Sequence, residues 1–161
     1  MNDYAEKAVK LLNEKNLKVA TAESCTGGLI AKMITDVSGS SAVFECGIVS
    51  YSNRIKTKIL GVGEETLRQH GAVSEETVIE MTKGAIAASD ADIAIAVSGI
   101  AGPSSDGTDK PVGLIWLAVN YKGKITTKRL NNQFSVNVRE NNRTAAAEEA
   151  LKLLCGILAE N

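Results

Sequence analysis

Ile93-Ala94-Ile95-Ala96-Val97 is an unbroken apolar run between small residues, the pattern of a strand buried on both faces. Around it the chain alternates between helical and extended patterns. Tyr4 to Lys15 sets Ala5, Ala8, Val9, Leu11 and Leu12 on one face, as in an amphipathic helix. Leu17–Ala22 predicts a short strand, Leu29–Val37 a helix, and Val43–Tyr51 a strand rich in β-formers. Ser52-Asn53 caps a helix through Leu60, and Glu64–His70 reads as a short helix closed by Gly71. Ser74 stands as N-cap before an apolar-periodic stretch to Ala88. Val112–Tyr121 and Ile125–Leu130 flank Lys122-Gly123-Lys124 as a hairpin. Thr144–Leu158 is a strong helix with Ala145, Leu151, Leu154 and Leu158 facing inward, whereas Asn131–Asn142 is polar and without a clear period. The alternation predicts an α/β layered fold, and the late hairpin makes its sheet mixed. With 161 residues and neither a repeat nor a low-complexity linker, 1–161 reads as a single domain.

Composition narrows the function. A net charge of −1 with interspersed signs gives no basic face, so the chain is not expected to bind nucleic acid. Cys25, Cys46 and Cys155 are odd in number and widely spaced, with His70 the lone histidine. They form neither a disulfide framework nor a zinc site, and they suit a reducing cytosol. Met1-Asn2-Asp3-Tyr4-Ala5-Glu6 lacks the basic and apolar regions of a leader, and no apolar run reaches the length of a membrane span. A cytoplasmic location without membrane association is expected by elimination.

Two loops follow strands. Thr21-Ala22-Glu23-Ser24-Cys25-Thr26-Gly27-Gly28 runs from a strand into a helix, where glycine lets backbone N–H groups approach an anion. By itself it suits a helix entry capped by Thr26 better than an anion site. Ser98-Gly99-Ile100-Ala101-Gly102-Pro103, followed by Lys110-Pro111-Val112-Gly113, trails the buried strand. Ligands gather at strand ends in open α/β sheets, so the two loops suggest one crevice. No Gly-x-Ser-x-Gly elbow is present. His70, beside Gly71, suits an exposed turn, and Cys25 suits a small buried hydrophobe. A serine can instead be activated by a neutral lysine, although from sequence alone a lysine is far more often solvated than catalytic. Ser40 and Ser41 precede the Val43–Tyr51 strand, and Lys56 and Lys58 follow it.

Taken together, Thr21–Gly28, Gly39-Ser40-Ser41, Tyr51-Ser52-Asn53, Gly71-Ala72-Val73-Ser74, Ser98–Pro103 and Lys110–Gly113 occur in an order that closely resembles the C-terminal domain of the CinA competence-damage family. The likeness covers nearly everything from Val19 to Leu154. It implies a three-layer α/β/α fold with a mixed sheet, commonly a homodimer. It also implies hydrolysis of the carboxamide of nicotinamide mononucleotide, a small nucleotide substrate, without metal or cofactor. A serine–lysine dyad is implied, with the nucleophile on Ser41, the base on Lys56, and Tyr51 and Ser98 beside them. Ser40 and Ser24 are the next hydroxyls in line. Substrate contacts are implied at Glu23, Ser24, Thr26, Gly27, Gly28, Gly99, Ile100, Ala101, Gly102 and Gly113. Relatives usually carry Gly-Asp-Arg where this chain has Phe134-Ser135-Val136-Asn137-Val138-Arg139. Arg139 matches the family's site arginine, a bidentate partner for phosphate, and Arg143 is its competitor.

The dyad carries a geometric condition. A fully extended Val43–Tyr51 would hold Ser41 and Lys56 about 30 Å apart, whereas proton transfer needs about 3 Å. Either the strand is short and the chain folds back, or a partner subunit supplies one residue. The alternative reading is a non-catalytic nucleotide-binding or interaction module.

Overall fold

The computed structural model describes residues 3–161; Met1 and Asn2, which open the segment read as lacking a leader, lie outside the described residues. In chain order the elements are α1 Asp3–Glu14, β1 Val19–Glu23, α2 Leu29–Thr35, a 3-10 turn Ser40–Ala42, β2 Phe44–Val49, α3 Asn53–Leu60, α4 Glu64–His70, α5 Glu75–Ser89, β3 Ile93–Gly99, β4 Leu114–Tyr121, β5 Lys124–Asn131 and α6 Val138–Glu160. The strands form one sheet in the order β2-β1-β3-β4-β5. β1 runs parallel to both β2 and β3, and the β3–β4 and β4–β5 pairs are antiparallel. The sheet is mixed, with helices on both faces.

The alternation inside β3 sorts the layers. Ile93, Ile95 and Val97 join the core shared with α1, α2 and α6, while Ala94 and Ala96 join the core shared with α5. β1 and β4 follow the same rule, with Val19, Ile115, Leu117 and Val119 on the first side and Ala20, Ala22 and Ala118 on the second. Large side chains therefore fill the face under three helices, and alanines let α5 lie close to the other. Helix α5 also crosses the end of α3 at short range. A Cβ added at Gly84 would fall 1.9 Å from the Leu60 carbonyl oxygen.

Local sequence sets most boundaries. Ser52 and Ser74 cap α3 and α5, their hydroxyls accepting from the amides of Ile55 and Thr77. Two readings need correction. The expected strand over Val43–Tyr51 is only Phe44–Val49, because Val43 belongs to the turn and Ser50–Tyr51 leave the sheet. Helix α6 starts at Val138, six residues before the apolar period begins. Its first turns are polar because Arg139, Asn142 and Arg143 bond to neighbouring loops. Ala146 and Ala147 are the buried alanines there, and Ala145 is only half-buried.

Chain reversal at β1 creates a crevice. From β1 the chain moves outward through α2 to β2, then returns through α3, α4 and α5 to β3 on the other side of β1. Ligand sites form at such switch points, beyond the carboxyl ends of the strands. The antiparallel β4 starts at this same end, with Ile115 opposite Gly99, so the 100–113 loop also closes over it. Replacing Gly84 by alanine should destabilise the fold by about 3 kcal/mol through backbone overlap, lowering Tm by roughly 10 °C for a chain of this size. Thermal unfolding checks this, and an unchanged Tm would mean that α5 can slide away from α3.

Candidate active site

β1 ends at Glu23, level with Val49 of β2 and Val97 of β3. The next residue, Ser24, donates its amide to the Val97 carbonyl, and Ser50 donates its amide to the Glu23 carbonyl. Three strand ends are thus tied at one level, with Ser24 between the other two. The capped start of α3 then folds the chain back over this edge and turns Lys56 inward.

Lys56 is 1% exposed, the largest fully buried side chain of the fold. Its Nζ lies 3.0 Å from Ser24 Oγ and 2.7 Å from the Ser50 carbonyl oxygen, with the Tyr51 carbonyl at 3.5 Å. A neutral amine has two N–H donors and one lone pair. Two carbonyls and one hydroxyl satisfy that set, and the protonated amine can be satisfied by the same three groups. Burial disfavours the ammonium and pulls the pKa of Lys56 from 10.5 down to about 8. Cys25 is the neighbouring thiol. Burial pushes its pKa up to about 12, with the Glu23 charge adding to the rise and a hydrogen bond from its own backbone opposing it. Burial therefore favours the protonated thiol.

Ser24 and Lys56 open onto a cleft of about 640 Å³, within the range of roughly 300–1,000 Å³ typical of small-molecule sites. Cys25, Tyr51, Ser98, Gly99, Ile100, Ala101, Gly102, Arg68 and Arg139 also line it. Tyr51 is 59% exposed, and its hydroxyl accepts from Arg139 Nη2 at 2.7 Å while Nη1 of the same arginine donates to the Gly102 carbonyl.

Several expected site residues are elsewhere. Ser41 is exposed in the turn before β2, so the six residues of β2, roughly 20 Å at 3.3 Å each, separate it from Lys56. The chain does fold back, but it brings Lys56 to Ser24 and not to Ser41. Glu23 is buried and does not line this cleft. Its carboxylate accepts from the amides of Ile30 and Ala31 and from the hydroxyls of Thr26 and Thr21. The first turn of α2 is thereby occupied from within, which removes it as a phosphate site, and Thr26, Gly27 and Gly28 do not line the cleft. Gly113 lies behind the loop, donating to the Ile100 carbonyl.

The comparisons agree with this architecture. The model of the CinA C-terminal domain matches residues 1–158. The chain belongs to the CinA C-terminal domain family. The nicotinamide-nucleotide amidohydrolase PncC of Escherichia coli K12 is 52% identical over 126 residues, 78% of this chain and 76% of that protein. A CinA-like protein of Akkermansia muciniphila is 58% identical over 119 residues, 73% of this chain but 29% of its own length; this chain therefore spans less than a third of that relative. A CinA superfamily crystal structure from Klebsiella pneumoniae superposes with a TM-score of 0.94 at 34% identity, covering 99% of this chain and 98% of that one.

Within this CinA domain, the family resemblance puts Ser41 first and Ser40 and Ser24 behind it, and no local pattern separates Ser24 from Ser41. The missing signal is register, since Ser24 and Ser50 flank the same strand level only once β1 and β2 pair in parallel. Arg68 also lines the cleft, and its spacing of three residues from Glu65, which it contacts, gives no sign of that in the sequence. Lys56 should titrate near 8 when its side-chain carbon resonances are followed by NMR. A midpoint near 10.5 would mean a solvated ammonium and no buried pair.

Proposed function

We propose that this protein hydrolyses the carboxamide of nicotinamide mononucleotide to nicotinate mononucleotide and ammonia, with Ser24 as nucleophile and Lys56 as general base. The observation that carries the chemistry is the buried amine of Lys56, 3.0 Å from Ser24 Oγ. The substrate follows from the similarity to the Escherichia coli amidohydrolase and from a cleft of nucleotide size.

In the acylation step Ser24 Oγ attacks the carboxamide carbon while its proton passes to neutral Lys56 Nζ. The tetrahedral oxyanion forms against the glycine-rich 99–102 backbone, where each well-placed N–H is worth on the order of 3 kcal/mol. Lys56 then returns the proton to the departing nitrogen, ammonia leaves, and an ester to Ser24 remains. Water, deprotonated by Lys56, cleaves that ester to the carboxylate and regenerates the serine. The carbonyls of Ser50 and Tyr51 hold the amine in place in both protonation states. Arg139 is the phosphate partner in this reading, with Arg68, which also lines the cleft, as a second cation, and the exposed Tyr51 ring packs against the pyridine.

Ammonia release by the purified protein tests the reaction. Ser24→Ala should lose on the order of 10³-fold or more of kcat, and Lys56→Arg roughly 10²- to 10⁴-fold, whereas Ser41→Ala should retain parental activity. Loss of turnover in Ser41→Ala but not in Ser24→Ala would overturn the assignment. A Tm raised by the nucleotide without ammonia release would instead support a binding module.

The pH profile has a fixed sign. The base works only when neutral, so kcat/KM should rise about tenfold per pH unit in the acid limb and level off above the Lys56 pKa of about 8. A profile that falls across that range would exclude Lys56 as the base.

A further inference from the structure

The first turns of α6 reach two loops of the cleft from behind. Arg139, Asn142 and Arg143 share one helix face by their i, i+3, i+4 spacing. Arg139 donates to the Gly102 carbonyl at 2.8 Å, and buried Asn142 donates to the Ala101 carbonyl at 2.9 Å. Arg143 turns to the other loop, donating through Nε to the Cys25 carbonyl at 3.2 Å and through Nη2 to the Thr26 carbonyl at 2.8 Å. Unlike Arg139, it does not line the cleft.

We propose that Arg143 is a positioning residue for Ser24, its guanidinium holding the 24–27 turn so that the serine hydroxyl stays at the Lys56 amine. This rests on the reading of Ser24 as the nucleophile. The grip passes along hydrogen bonds. The Thr26–Gly27 peptide accepts from Arg143 at its oxygen, and its N–H donates to the Ser24 carbonyl at 3.0 Å. Each bond polarises the next. Gly27 allows the close approach: its φ is +60°, and an added Cβ would lie 3.3 Å from Arg143 Nη2. Two diverging donors meet two successive carbonyls, a geometry that a guanidinium supplies and a lysine ammonium does not.

The test compares Arg143→Lys and Arg143→Ala with the parent, using kcat and KM for nicotinamide mononucleotide and the Lys56 titration followed by NMR. Expected for both variants is a fall in kcat on the order of 100-fold with KM within about a factor of three, since small misplacements of reacting groups act on the chemical step. The Lys56 midpoint should move up from about 8 as water reaches the amine, and ethylguanidinium should partly restore kcat in Arg143→Ala. Unchanged kcat and midpoint would overturn the proposal. A raised KM at constant kcat would make Arg143 a substrate contact, and loss that tracks the unfolded fraction in thermal melts would make it merely structural. If the parent releases no ammonia, the proposed reaction fails, and the NMR midpoint still decides whether Arg143 holds the serine turn.

Discussion

A lysine amine that has lost its water organises the carboxyl edge of this sheet. Taking an ammonium out of solvent is among the larger penalties available to a folded chain. Lys56 meets it with a lowered pKa and with partners that suit either protonation state. Such an arrangement tolerates little movement. It requires α3 to turn back sharply after β2, which the Ser52 cap and the close α3–α5 crossing at Gly84 enforce. It also requires Ser24 to stand level with Ser50, which the parallel pairing of β1 with β2 enforces.

Glu23 is the second buried charge, and it has taken the place of a ligand. The α2 N-terminus would ordinarily attract an anion through its free amides and dipole. Here an internal carboxylate occupies the amides of Ile30 and Ala31, so the helix is spent on rigidity. The strand, the Ser24 turn and the helix start become one hydrogen-bonded unit. The cationic side chains that line the cleft beside Lys56 are instead Arg68 and Arg139.

How far the sequence reveals this depends on the kind of signal. The alternation in Ile93–Val97 and the helical periods of α1 and α5 are local, and the layered mixed sheet is legible from them. Lys56, Tyr51, Ser98 and the Ser98–Gly102 loop are likewise legible as cleft residues through their motifs. Ser24 against Ser41 is a question of strand register, which no local pattern encodes. The start of α6 fails for the opposite reason. Its period is present in Arg139, Asn142 and Arg143, but those side chains face loops and not the core, so a search for apolar spacing passes over them. Glu23 misleads similarly, because a carboxylate in a glycine-rich turn resembles a ligand contact until α2 is seen to fold onto it.

The unfavourable features of the fold are unevenly distributed. Among the described residues the buried side-chain atoms without a hydrogen-bond partner are Ser50 Oγ, Asn132 Nδ2 and Asn142 Oδ1, and an unmet buried polar atom costs about 1–3 kcal/mol. Ser50 holds the Lys56 amine, Asn142 holds the Ala101 carbonyl, and Asn132 adjoins Gly113. All three therefore sit at the edge that carries Lys56 and Glu23. Among the described residues the opposite edge, where Ser41 lies, has no such atom. Chains break their own packing rules mainly where chemistry demands it. Buried charge and unmet polarity thus gather at the end of the sheet where the cleft opens.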